Sequence, residues 1–106
     1  MYASQATIQR FLLDFKRAIS HQDWEIVQRR ASYASVTGMT PAAIRIVLLQ
    51  LTPADYVAGP ERDRNRPGEY VWKFRKYGLT PSYLYIKVKL VAGHAKVLSF
   101  HETIDG

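Results

Sequence analysis

In Leu84-Tyr85-Ile86-Lys87-Val88-Lys89-Leu90, aliphatic residues alternate with tyrosine and lysine. A period of two is that of a strand, whose successive side chains point to opposite faces, so one face is apolar and the other polar. The same period runs through two further stretches. Tyr70, Trp72 and Phe74 alternate with Val71, Lys73 and Arg75, and Leu98 and Phe100 alternate with Val97, Ser99 and His101. Together they predict an antiparallel sheet that buries one face and leaves the other open.

The first half of the chain supplies the elements that the apolar face packs on. Ile8, Phe11, Leu12, Phe15 and Ile19 follow helical spacing, with Arg10, Asp14, Lys16 and Arg17 off the stripe and Ser4 placed to cap. A second helix is expected over residues 29–36, ended by Gly38, after a short strand over 24–28. A third begins at Thr40-Pro41, carries Ile44, Val47, Leu48 and Leu51 as its stripe, and stops at Thr52-Pro53. Helices first and strands afterwards predict one α+β domain, with N-terminal helices on one face of a C-terminal antiparallel sheet. Residues 60–68, Pro-Glu-Arg-Asp-Arg-Asn-Arg-Pro-Gly, hold no large apolar side chain and read as a solvated loop. Arg62, Arg64 and Arg66 make it either a flap for phosphates or a connection kept soluble by charge.

The chain of 106 residues is long enough for a single core. Fifteen Lys and Arg against nine Asp and Glu give a net charge of +6, which favours a polyanionic partner, with nucleic acid first. There is no cysteine, so disulfides, thiolate metal sites and cysteine nucleophiles are excluded, in keeping with a cytoplasmic protein. The longest aliphatic run, Ile46 to Leu49, is far too short to span a bilayer, and no membrane partner is expected.

The open face carries the candidate chemistry. A turn around Ala92-Gly93-His94, read as a three-residue loop with Val91 opposite Ala95, sets Tyr85 opposite His101 and Lys87 opposite Ser99. Cross-strand neighbours lie roughly 5 Å apart, so these side chains can share one ligand, and Lys73 and Arg75 have the parity to join them. A phosphodiester there meets cations, a phenol and an imidazole. RNA carries its own nucleophile in the 2′-hydroxyl, so cutting it requires in-line placement, proton transfer and stabilisation of charge at phosphorus. Histidine, with a reference pKa of about 6.5, is suited to the proton.

Plainer readings compete. A lysine-bearing sheet face is most often only the wet side of a sheet. His21 and His94 read as loop residues without a role, and three scattered histidines make a poor metal site, so no metal or other cofactor is expected. Tyr70, Trp72 and Phe74 have the parity of core packing rather than base stacking.

The segments Leu51-Thr52-Pro53-Ala54-Asp55-Tyr56, Val71-Trp72-Lys73, Leu84-Tyr85-Ile86-Lys87-Val88 and Val97-Leu98-Ser99-Phe100-His101-Glu102 resemble, in order, the MqsR family of bacterial toxins. The resemblance implies a RelE-like fold, an mRNA endonuclease activity and a cognate antitoxin that holds the protein inactive. It places Tyr85 on a family active-site tyrosine and Lys87 on the lysine two places beyond. Lys73 stands where the related toxins commonly have glutamine, and His101 where they commonly have lysine. Ala58 stands where a family active-site lysine is expected, and alanine can neither donate a proton nor hold charge.

The combined expectation is a metal-independent endoribonuclease acting on mRNA, free or on the ribosome. His101, Tyr85, Lys87 and Lys73 are its catalytic residues, and Arg75, Lys89, Arg62, Arg64 and Arg66 are RNA contacts. Its rival is a non-catalytic RNA- or ribosome-binding module on the same face, and a third reading makes that face a protein interface.

Overall fold

The computed structural model describes residues 2–27, 39–79 and 82–103. The helix expected over residues 29–36, with Gly38 as its end, lies outside them. Helix α1 spans Gln5–Ser20 and α2 spans Pro41–Leu49. Both begin as their sequences dictate. The Ser4 hydroxyl accepts the Thr7 N–H at 3.2 Å, and the Thr40 hydroxyl accepts the Ala43 N–H at 3.1 Å with Pro41 in the first turn. The predicted stripes are buried: Ile8, Phe11, Leu12, Phe15 and Ile19 on α1, and Ile44, Val47 and Leu48 on α2, continued by Leu51 just beyond it.

The strands are β1 Trp24–Ile26, β2 Tyr56–Arg62, β3 Tyr70–Tyr77, β4 Tyr83–Val91 and β5 His94–Thr103, in the spatial order β1-β5-β4-β3-β2. The α+β class stands, but the sheet is mixed rather than antiparallel. The short strand β1 runs parallel to β5, with Trp24 beside Ala95 and Ile26 beside Val97. Three residues are too few to show a direction in sequence.

A second correction concerns residues 60–68. Pro60, Glu61 and Arg62 complete edge strand β2, and only the connection after it is loop. Register shifts on both sides of Ala58 break the period of two in β2, as bulges do. Gly59 makes the close approach possible. Its φ is +126°, and a Cβ there would meet the Val71 carbonyl oxygen at 2.8 Å.

Both helices and the inner sheet face share one hydrophobic core, in which Phe15, Ile44, Phe74, Ile86 and Phe100 are fully enclosed. Phe11 stacks on Trp72 with ring centroids 4.2 Å apart. Tyr70 departs from its expected core place: it is 45% exposed, at the first position of β3, on the rim of an apolar hollow shared with Phe11 and Trp72. Among the described residues no helix is long and apolar enough to cross a membrane.

Candidate nucleic-acid interface on the open sheet face

The face opposite the helices is organised in layers across the strands, set by the pairing of β3, β4 and β5. Arg75 pairs with Tyr85, and Tyr85 with His101. One layer along, Lys73 pairs with Lys87, and Lys87 with Ser99. The expected neighbourhood of Tyr85, His101, Lys87, Lys73 and Arg75 is therefore present, and the Tyr85 and His101 rings lie 5.4 Å apart between centroids.

The register arises differently from the expectation. The β4–β5 turn has two residues, not three: Val91 pairs with His94, and Ala92 and Gly93 both have positive φ, at 50° and 80°, as a type I′ turn requires. Alone, this turn would set Tyr85 opposite Phe100 and carry His101 to the helix side. An extra residue in β5 restores the alternation, since Val88 pairs with Val97 but Lys87 pairs with Ser99, leaving Leu98 unpaired. A one-residue shift exchanges the two faces of a strand, so this bulge is what turns His101 outward. Leu98 consequently leaves the core face assigned to it from sequence, and Val97 takes that place. Leu98 and Val71 form the buried apolar floor of a cleft of about 580 Å³.

Lys73, Lys87, Glu61, Arg62 and Arg64 line the same cleft. The Lys73 ammonium meets the Glu61 carboxylate at 2.8 Å. That hydrogen bond outweighs partial burial and holds the lysine pKa above its ordinary value, while the same contact depresses the Glu61 carboxyl. Lys73 therefore acts as a fixed positive charge rather than a proton donor near neutral pH. Sequence reading missed Glu61, because the two bulges of β2 hide which face it joins. Ala58 pairs with Lys73 and brings no charge to the layer.

Lys89 is placed apart from the other cations. It is 4% exposed, and its ammonium sits 2.7 Å from Asp63 and 2.6 Å from Glu69, the two ends of the loop between β2 and β3. Burial pulls its pKa down, but the two carboxylates outweigh that and the net shift is upward. Asp63 is correspondingly lowered, by Lys89 first and by the Asn65 N–H second. The expected RNA contact is thus a structural clamp, and it anchors by charge a loop that has no apolar anchor. Arg62, at the end of β2, and Arg64, on the loop, line the cleft, whereas Arg66 is exposed on the loop away from the lining.

His94, read as a loop residue without a role, opens β5 and bridges two carboxylates, Asp23 at 2.5 Å and Glu25 at 2.7 Å. Their hydrogen bonds raise its pKa, Asp23 contributing most. His21 is exposed at the end of α1. Among the described residues no group of three or more His, Cys, Asp or Glu side chains is arranged to hold a metal ion. Compared with protein-family models and with curated proteins, the chain matches none of them.

Proposed function

We propose that the open sheet face binds RNA and cuts it through the substrate's own 2′-hydroxyl, as an mRNA-cleaving toxin of RelE-like fold held in check by a cognate antitoxin. The observation that carries this reading is the Tyr85–His101 pair, set beside the Lys73–Lys87 layer and Arg75 on one exposed face. The likeness of residues 51–102 to MqsR-type toxins agrees with it, and so does the net charge of +6.

In the proposed reaction a phosphodiester lies over the Arg75–Tyr85–His101 layer, with its non-bridging oxygens toward Lys73, Lys87 and Arg75. The 2′-oxygen attacks phosphorus in line, the bond from phosphorus to the 5′-oxygen breaks, and the products are a 2′,3′-cyclic phosphate and a 5′-hydroxyl. His101 transfers one of the two protons involved, and the fixed cations stabilise the charge building at phosphorus. Tyr85 orients the nucleotide. Glu61 positions Lys73 through their ion pair.

A specific observation favours a second reading, a binding module without catalysis: Ala58 leaves the Lys73 layer without a further cation, and Glu61 already offsets part of the charge of Lys73. The test is an RNA with a single deoxyribose at the nucleotide where cutting occurs. Cutting should stop at that position and continue elsewhere. Equal cutting at the deoxy position would rule out the 2′-hydroxyl mechanism, and binding without any cutting would favour the module.

A further inference from the structure

One layer beyond Tyr85 and His101, the same face becomes aromatic. Tyr77 pairs with Tyr83 across β3 and β4, their ring centroids 5.3 Å apart and tilted by 45°. The Arg75 guanidinium lies over the Tyr83 ring at 5.0 Å from its centroid. Tyr83 is only 6% exposed beneath these neighbours, whereas Tyr77 is 58% exposed. The face thus ends in an open ring beside a guanidinium, whereas its Lys89 end is closed by a salt-bridge clamp.

We infer that Tyr77 and Arg75, supported from below by Tyr83, form a shelf on which an unpaired nucleobase stacks, so that the face takes single-stranded nucleic acid and reads it by stacking rather than by base edges. The inference rests on the reading of the open face as an RNA face and adds a subsite to it. Its geometry follows from strand spacing. Alternate residues of one strand are about 7 Å apart, so the layers succeed one another as cations, then Tyr85 and His101, then the shelf. A strand of RNA laid along β3 and β4 would put the reacting phosphate over the middle layer, with its non-bridging oxygens toward Lys73 and Lys87, and the flanking base over Tyr77.

Both members of the shelf suit the task. Bases extruded from a helix stack on tyrosine rings and on arginine planes, and every base has a π face, so such a contact tolerates sequence. A paired base within a duplex has its faces covered by its neighbours and cannot use the shelf. The occupant follows from charge: a shelf that contains an arginine and shares its face with Lys73 and Lys87, two layers along, on a basic protein complements a polyanion that carries aromatic rings, which is what single-stranded nucleic acid is.

The experiment measures binding by fluorescence anisotropy, using a short 2′-O-methyl oligoadenylate, which cannot be cut, and an abasic phosphate oligomer of the same length and charge. Wild type should bind the base-bearing oligomer about 5- to 100-fold more tightly than the abasic one. Tyr77→Ala should erase most of that difference with the salt dependence unchanged, and Tyr77→Phe should keep it. Equal binding of the two oligomers by wild type, or an undiminished preference in Tyr77→Ala, would overturn the shelf while leaving a salt-dependent cationic face intact. Absence of salt-dependent binding to either oligomer would overturn both the shelf and the RNA face.

Discussion

Consider two lysines two residues apart on the same strand and the same face, Lys87 and Lys89, each replaced in turn, as Lys87→Ala and Lys89→Met. By charge count the two variants are equivalent. The structure separates them: Lys87 lines the cleft, whereas Lys89 is enclosed between Asp63 and Glu69. Each phosphate neutralised on a single strand contributes about −0.7 to the slope of log affinity against log salt. Counted at one phosphate charge per cation, Lys73, Lys87 and Arg75 set a limit of about −2 on the slope, and each loop arginine that reaches a further phosphate adds about another −0.7. A slope of −2 means roughly a 20-fold loss of affinity between about 50 and 200 mM salt. Lys87→Ala should flatten the slope, by up to about 0.7, and Lys89→Met should leave it unchanged. The assay is anisotropy with an uncleavable oligoribonucleotide over a salt series. If Lys89→Met flattens the slope as much as Lys87→Ala, the clamp opens to meet RNA and the division drawn between the two lysines is wrong.

Other expectations follow from single residues. Ala92 holds a positive φ that suits asparagine better than alanine, so Ala92→Asn should stabilise the protein by about 1 kcal/mol in denaturant unfolding; a loss of stability would contradict the turn assignment. Gly59→Ala should destabilise it by roughly 1–3 kcal/mol, since the new Cβ meets the β3 backbone at a φ that only glycine favours; a neutral result would mean that β2 does not lie where it is described. His94 ties the start of β5 to Asp23 and Glu25, and its folded pKa lies above the ordinary 6.5. The folded state therefore holds its proton more tightly, so this contribution to stability is complete below pH 6.5 and is lost as pH rises through the raised value. Melting curves across that window should show the decline in wild type and a flatter profile in His94→Gln; the same decline in both would remove His94 as its source.

Much of this was legible in the chain because the signals were periodic. The stripes of α1 and α2, the caps Ser4 and Thr40, and strands β3, β4 and β5 follow from the spacing of apolar residues and the chemistry of helix starts. β2 was not legible, because Gly59, Pro60 and two register shifts erase its alternation. The pairing of Tyr85 with His101 followed from the requirement that Ile86 and Phe100 share a face, although the turn was read as one residue too long. A tight turn and the Leu98 bulge reach the same register, and adjacent apolar residues such as Val97 and Leu98 give no sign of which one leaves the ladder. The partners of Lys89, Lys73 and His94 were beyond sequence reading for a simpler reason. Asp63 and Glu69 stand 26 and 20 residues from Lys89, and Asp23 stands 71 from His94, so only the fold brings these charges together.

The central claim is that His101 moves a proton in a cleavage that uses the 2′-hydroxyl of RNA. Its most direct test is to incubate the purified protein and its His101→Ala variant with a long unstructured RNA in excess EDTA and to analyse the ends produced. The account predicts 2′,3′-cyclic phosphate and 5′-hydroxyl ends from wild type, with the rate lowered about 100-fold or more in the variant. Cutting that survives His101→Ala undiminished, or no cutting by wild type alongside salt-sensitive binding by both, would contradict it.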